Sequence, residues 1–315
     1  MELKDIGELK LIEEIRRIVK KRRREVLIGI GDDGCFLSDN TELTTDAFVQ
    51  GVHFDLKYMS FGNIGERVVG ATLSDLAAMG AQPICILVSL LLPPHLKIED
   101  VLECYKSMER SAKRFNTEIA GGEVVSSPSF SLVLTAFGKA ENPVLRKGAN
   151  PGDRVFITGE IGLAEAGRLA LKNGLDKTFF KRAIDKHLSP VPRLKEAEVI
   201  GSYVSAMIDT SDGLSTDCFH LACESRVKIE ILFDKLPISR EAEQMSDILK
   251  IPLEGFVLDS GEDYELLFTS KRNVPDKILE TRITEIGRVK RGRGVWLVKD
   301  GKEREIKPRG YEHFR

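Results

Sequence analysis

Gly29-Ile30-Gly31-Asp32-Asp33-Gly34 is the stretch on which the reading of this chain turns. It has the G-x-G-x-x-G spacing of a dinucleotide-binding turn and follows the apolar run Val26-Leu27-Ile28. That fingerprint sets bare backbone N–H groups and a helix N-terminus against pyrophosphate. Two adjacent carboxylates at that point would repel the ligand. The residues that follow, Cys35-Phe36-Leu37-Ser38-Asp39-Asn40, lead into a turn instead of a long helix. The doubly wound dinucleotide fold is therefore set aside. Acids beside glycines at the end of a strand suit a different task, presenting oxygen ligands to a hard cation that itself meets phosphate.

Working outward, the first half alternates short β-like runs with helical ones. Strands are expected over residues 26–30, 43–45, 84–92 and 131–137, and helices over 64–79 and 98–115, the first stopped by Gly80 at the C′ position. Asn142-Pro143 and Lys147-Gly148-Ala149-Asn150-Pro151-Gly152-Asp153 are dense in turn formers and mark a boundary. Beyond it the alternation restarts, with strands over 155–158, 205–208, 229–233, 265–269 and 295–298 and helices over 163–171 and 214–223. Such alternation predicts an α/β fold of α+β layers in two domains, 1–140 and 150–315. No repeat period is visible.

Composition narrows the function classes. Of 315 residues, 47 are Lys or Arg and 49 Asp or Glu, for a net charge of −2, which gives no electrostatic footprint for nucleic acid or an anionic membrane. The basic run Lys20-Lys21-Arg22-Arg23-Arg24 follows Ile12, Ile15 and Val19 at helical spacing, so it reads as the last turn of an amphipathic helix, where cations complement the helix dipole. The apolar stretch 84–92 is less than half a bilayer crossing and reads as a buried strand. The opening Met1-Glu2-Leu3-Lys4-Asp5 lacks a signal-peptide layout. Five cysteines, with no C-x-x-C pair, suggest free buried thiols in a reducing compartment. A cytoplasmic location is expected.

Acids recur where strands end. Asp32 and Asp33 follow the first strand, Asp46 follows Leu43-Thr44-Thr45, and Asp209 opens Asp209-Thr210-Ser211-Asp212-Gly213. Asp75 interrupts an apolar helix and shares a face with Ala71, Thr72 and Met79, a costly place for a carboxylate unless something compensates it. Each has an ordinary alternative. Asp32 or Asp33 suits a turn, Asp212 suits an N-cap for the helix from Leu214, and Asp75 suits a core ion pair. Together, acids at strand ends in two domains are harder to explain that way. No Cys or His cluster suits zinc, and carboxylates with hydroxyls suit Mg²⁺ or Ca²⁺. No G-x-x-x-x-G-K-[ST] is present, so an ATP site here is not a P-loop.

Six motifs stand in order along the chain: Gly29-Ile30-Gly31-Asp32-Asp33; Thr44-Thr45-Asp46; Leu73-Ser74-Asp75-Leu76-Ala77-Ala78-Met79-Gly80-Ala81; Gly121-Gly122-Glu123; Asp209-Thr210-Ser211-Asp212-Gly213-Leu214; and Ser260-Gly261-Glu262-Asp263-Tyr264-Glu265-Leu266. Together they resemble the thiamine-monophosphate kinase family, part of the superfamily that includes aminoimidazole ribonucleotide synthetase. The likeness runs from Gly29 to the closing Gly310-Tyr311-Glu312-His313-Phe314.

The resemblance implies a two-domain fold like aminoimidazole ribonucleotide synthetase. An N-terminal mixed sheet with helices would pair into a homodimer, and a C-terminal α/β sandwich would complete the substrate site. It also implies ATP and thiamine monophosphate as substrates, with several Mg²⁺ ions. Carried over by position, Asp33, Thr44, Thr45, Asp46, Asp75 and Asp209 resemble metal ligands, and Asp212 a ligand of a further cation. Gly122, Arg146 and Ser211 resemble ATP contacts, with Tyr105 against the adenine. His53, Glu262 and Tyr311 resemble the side facing thiamine monophosphate. Glu123 also resembles a metal ligand, in one departure: it stands where the family usually has Asp, which carries the charge one methylene farther. Without the resemblance, Arg146 reads as a solvated loop residue, His53 as a core histidine, Tyr105 as helix packing and Glu262 as a turn cap.

The chemistry agrees with this inventory. A hydroxyl attacking ATP often needs a base. A phosphate acceptor, with its second pKa of about 6, is already ionised. The obstacle is repulsion between two anions, which carboxylate-held cations address. Two other readings are weighed. One is an ATP-dependent synthetase or dehydratase of the same superfamily. Its hydrogenase-maturation branch relies on a cysteine near the C-terminus, whereas the last cysteine here is Cys223. Its selenophosphate-synthetase branch wants a reactive N-terminal residue that Cys35 does not match. The other is a binding module that holds a nucleotide or metal without turnover.

Overall fold

The computed structural model describes residues 2–19 and 23–314. The first helix, α1 (Leu3–Ile18), bends at Gly7, whose φ is +72°. The basic run does not continue it: the helix ends at Ile18, Arg23 and Arg24 are non-helical, and Lys20, Lys21 and Arg22 lie outside the described residues.

The first sheet is built from β1 (Val26–Ile28), β2 (Cys35–Leu37), β3 (Thr41–Val49), β4 (Gln82–Leu92), β5 (Glu118–Ser126) and β6 (Ser131–Lys139). Their order is β1-β2-β3-β6-β4-β5, antiparallel except for the β4–β5 pair. Two helices pack with it, α2 (Phe61–Ala78) and α3 (Ile98–Arg114). Ser60 caps α2 by accepting from the Asn63 N–H, and Gly80, at φ +74°, follows its end.

The second sheet takes β7 (Arg154–Thr158), β8 (Ala206–Asp209), β9 (Lys228–Leu232), β10 (Leu266–Ser270), β11 (Lys277–Ile278), β12 (Thr281–Lys290), β13 (Gly294–Lys299) and β14 (Lys302–Ile306). Its order is β14-β13-β9-β12-β7-β10-β8, with β11 on β12 and a parallel β9–β13 pair. Around it lie α4 (Leu163–Lys172), α5 (Lys181–Leu188), α6 (Leu194–Ile200), α7 (Leu214–Ser225), α8 (Arg240–Leu249) and α9 (Leu253–Asp259). The mixed α/β layering expected from the alternation is what the molecule has. Residues 141–153 join the two sheets without strand or helix.

What positions the functional site is α2. It is buried nearly all round, because it packs on β3 and β6 from one sheet and on β8 from the other. An apolar surface on every side is the signature of a helix enclosed by protein. Phe156, Met207 and Phe268 of the second sheet share a core with Val68, Leu73 and Leu76 of this helix. The polar side chains Ser74 and Asp75 of α2 therefore sit where the two sheets meet. All five cysteines are free thiols; Cys104 and Cys218 are buried, while Cys35 and Cys85 are half-buried and Cys223 is exposed. Among the described residues no helix is long and apolar enough to cross a membrane.

Candidate active site

A cavity of about 820 Å³ opens where the two sheets meet. Its acidic wall comes from both halves. Alternation along β3 turns Thr44 and Asp46 to one side, and the Thr44 hydroxyl donates to the Asp75 carboxylate of α2 at 2.5 Å. One residue earlier on α2, Ser74 donates to the Asp209 carboxylate at the end of β8, at 2.7 Å. Carboxylate oxygens of Asp33, Asp75 and Asp209 lie within 4.8 Å of one another. Asp46 lines the same cavity, and its charge acts on both Asp75 and Asp209.

Arg146 crosses from the connecting segment to Asp33, donating through Nε at 3.2 Å and Nη2 at 2.5 Å. Its backbone N–H donates to Asp32 at 3.1 Å. The other oxygen of Asp33, Oδ2, is buried with no hydrogen-bond partner among the described residues. A buried carboxylate oxygen left unpaired is costly, and an all-oxygen donor set of this kind fits a hard divalent cation. The carboxyls here are also hard to ionise by themselves. Burial, then the neighbouring Asp33 charge, pushes Asp209 up to about 8 and Asp32 up to about 6. Burial pushes Asp46 up to about 6, and burial plus the Asp46 and Asp209 charges holds Asp75 well above the usual carboxylate range.

Asp212 does not cap α7. Gly213 is the N-cap residue, and the buried Asp217 carboxylate accepts its backbone N–H at 3.2 Å. Asp212 and Ser211 instead line the cavity. Burial, then the Glu8 charge, pushes the Asp212 carboxyl up to about 6. The C-terminal tail is fastened beside them, with the Tyr311 N–H donating to the Asp212 carbonyl at 2.9 Å. A Cβ on Gly310 would fall 2.0 Å from that same carbonyl, so the tail reaches this close only with glycine there.

The far end of the cavity is aromatic. His53 and His313 have ring centroids 5.4 Å apart, and Tyr311 and His313 4.9 Å. His53 Nδ1 accepts from the Val49 N–H at 3.1 Å, which assigns its proton to Nε2. Burial, then the adjacent His313, holds the His53 imidazole below its usual pKa, so it is neutral near pH 7. Glu262 faces this end and pairs with Arg67 of α2, a residue that sequence reasoning passed over. Glu165 and Arg168 of α4, paired through two contacts of 2.6 and 2.7 Å, also line the cavity.

Of the site residues picked from sequence, Asp33, Thr44, Thr45, Asp46, Asp75, Arg146, Asp209, Ser211, Asp212, His53, Glu262 and Tyr311 line this one cavity. Tyr105, Gly122 and Glu123 do not. Tyr105 lies on α3 beside a separate shallow pocket with Leu102 and Lys106. Gly122 and Glu123 are on β5, the exposed edge of the first sheet. Gly122 has a local reason to be glycine, since a Cβ would fall 1.7 Å from the Val88 carbonyl oxygen. The residues sequence reasoning missed are Arg67, Glu165, Arg168, His187 and His313. For Arg67 the signal was present: a charge inside the apolar run of α2, like Asp75.

Among the described residues the lining has ten carboxylates and three arginines, Arg146, Arg168 and Arg309, and no lysine. An excess of carboxylates in the lining repels a bare polyanion.

A family profile described as "AIR synthase related protein, N-terminal domain" matches residues 31–140. A curated thiamine-monophosphate kinase of Aquifex aeolicus is 36% identical over 320 residues, covering 100% of both chains. The solved complex of AaThiL with AMPPCP and TMP superposes with a TM-score of 0.90 at 35% identity, covering 99% of both chains. The Escherichia coli hydrogenase maturation protein HypE is 20% identical over 85% of each chain with a TM-score of 0.68, a likeness of fold alone.

Proposed function

The chain belongs to the thiamine-monophosphate kinase family, and on that premise we propose that it transfers the γ-phosphoryl group of ATP to thiamine monophosphate, forming thiamine diphosphate and ADP. The observation that carries this reading is the convergence of Asp33 and Asp75 from one sheet's layer with Asp209 from the other's, in the wall of one cavity. The far end of that cavity offers Glu262 and an aromatic wall to a cationic, aromatic acceptor.

Mg²⁺, several ions of it, fits the donor set. Asp33, Thr44, Thr45, Asp46, Asp75 and Asp209 would hold it, with Asp212 for a further ion, and bound there it neutralises the charge of two anions brought together. The protein's own residues do the rest. Arg146, aimed by Asp33, positions phosphate oxygens, and Ser211 contributes a hydroxyl beside them. His53, Glu262 and Tyr311 orient the acceptor. An oxygen of the acceptor phosphate, ionised above its second pKa of about 6, bonds to the γ-phosphorus as the bond to the ADP oxygen breaks. No proton needs removing from that oxygen and no phospho-enzyme forms.

Tyr105, Gly122 and Glu123 enter this account through pairing of two copies. On one chain Gly122 and Glu123 lie on the exposed edge strand β5 and Tyr105 is half-buried on α3, all three apart from the cavity. The family's pairing of N-terminal domains would bring such an edge against a second copy's cavity, making a homodimer with ATP at the junction. The proposed setting is the cytoplasm, without membrane or nucleic-acid partners.

The test is product analysis after incubation with Mg-ATP and thiamine monophosphate. Thiamine diphosphate and ADP should appear in equal amounts, with thiamine itself left unphosphorylated. ATP hydrolysis without thiamine diphosphate would contradict the proposal.

A further inference from the structure

Arg67 is 1% exposed, among the largest fully buried side chains of the molecule. Enclosing a guanidinium costs more than enclosing a methionine or leucine in the same space, so what it holds bears on why it is there. It reaches three separate segments. Nε donates to the His53 carbonyl at 3.3 Å, Nη1 donates to the His187 carbonyl at the end of α5, and Nη2 pairs with Oε1 of Glu262. The second Glu262 oxygen lies 3.7 Å from His187 Nδ1. Arg67 itself does not line the cavity.

Glu262 needs such a hold. Its backbone sits at φ +68°, in the left-handed region that glutamate seldom adopts, and its N–H is committed to the Ser211 carbonyl at 2.9 Å. The side chain is partly exposed to a cavity already crowded with carboxylates. Without a fixed cation beside it, mutual repulsion would turn it away from its neighbours.

Arg67, Ala71 and Asp75 stand at i, i+4 and i+8 on α2, so they share one face. Ala71 and Asp75 line the cavity. Eight residues of helix span ~12 Å. A single rigid element therefore carries a carboxylate at the cation end and, two turns back, the arginine that holds the acceptor end.

We propose that Arg67 is a positioning residue for the acceptor: it fixes the Glu262 carboxylate and the His53 loop in the orientation that receives the acceptor's cationic ring, without touching it. This deepens the kinase reading and rests on it. Its consequence is selective. Loss of Arg67 weakens acceptor capture and leaves nucleotide capture alone.

The experiment measures kcat and KM for both substrates in wild type, Arg67→Lys, Arg67→Met, Glu262→Gln and the double variant Arg67→Met with Glu262→Gln. The expected result is a KM for thiamine monophosphate raised about tenfold in Arg67→Met and in Glu262→Gln, with the KM for Mg-ATP within twofold of wild type. Arg67→Lys should fall between, and the double variant should be no worse than the worse single one, because the two residues act as a unit. If Arg67→Met does not fold, the Arg67→Lys shift decides. An unchanged acceptor KM, a parallel rise in both KM values, or additive losses in the double variant would each overturn the inference while leaving the kinase reading intact. A wild-type protein that neither turns over nor binds thiamine monophosphate would overturn both.

Discussion

The Ser74 hydroxyl, on a helix that belongs to the first sheet's layer, donates to the Asp209 carboxylate at the end of a strand in the second sheet, 2.7 Å away. Both residues are buried. This hydrogen bond joins the two halves at the point where their acids converge. It also orients Asp209, the acid that the second half contributes to the cluster.

Removing that bond has a measurable effect. A hydrogen bond to a charged group contributes roughly 1.5–3 kcal/mol. The variant Ser74→Ala should therefore lose about ten- to a hundredfold in kcat/KM at limiting Mg²⁺, with part of the loss recovered at saturating Mg²⁺. Its circular dichroism spectrum should match wild type. Equal activity at every Mg²⁺ concentration would mean that Asp209 needs no such support.

Glu123 and Asp46 test the pairing of two copies. Chains carrying Glu123→Ala and chains carrying Asp46→Asn should each be inactive alone. If the edge strand of one copy serves the cavity of another, unfolding, mixing and refolding the two together should restore a fraction of wild-type turnover. No recovery from a mixture shown to be dimeric would place both residues in the same site of one chain. Separately, Glu123→Asp should keep substantial activity if the side chain is a metal ligand. A dead Asp variant would point to a length-specific role.

His187 gives a pH signature. Burial, then the Arg67 and Arg168 charges, holds its imidazole well below the ordinary value of 6.5. Below pH 6.5 the unfolded chain takes up a proton that the folded chain refuses, so this residue's contribution to stability is lost as pH falls through that range and is constant above it. The cavity carboxyls titrate in the same range but are common to both proteins compared. The stability difference between wild type and His187→Gln, followed by thermal melting from pH 5 to 8, should therefore move against the wild type on the acid side. A difference independent of pH would contradict the burial argument.

The second helix and its surrounding strands were legible because each carried a strong local signal. The Ser60 to Gly80 stretch has an N-cap, an apolar run and a C′ glycine, and the helix lies within one to three residues of the expected bounds. The acids at strand ends were legible as chemistry because carboxylates beside glycines and hydroxyls have few structural uses. The edge strand β5 was not. It is exposed on both faces and carries Gly121-Gly122, so neither alternation nor β-propensity marks it. β12 alternates inward Ile283, Ile286 and Val289 with charged residues, but a register shift at Glu285–Gly287 breaks the period. Arg67 carries the same local signal as Asp75, a charge within the apolar run of α2. His187 and Arg168 come from helices whose approach to the cavity is set by packing, which no local pattern records.

The central claim is that carboxylates from both halves hold divalent cations in one shared site, and counting Mn²⁺ in place of Mg²⁺ tests it most directly. Manganese bound per chain, in the presence of a non-hydrolysable ATP analogue, would be measured by electron paramagnetic resonance in wild type, Asp46→Asn and Asp209→Asn. The account predicts several tightly bound ions in wild type, at least one fewer in each variant, and turnover abolished in Asp46→Asn with fold and oligomeric state unchanged. Wild-type manganese stoichiometry and turnover in both variants would contradict it.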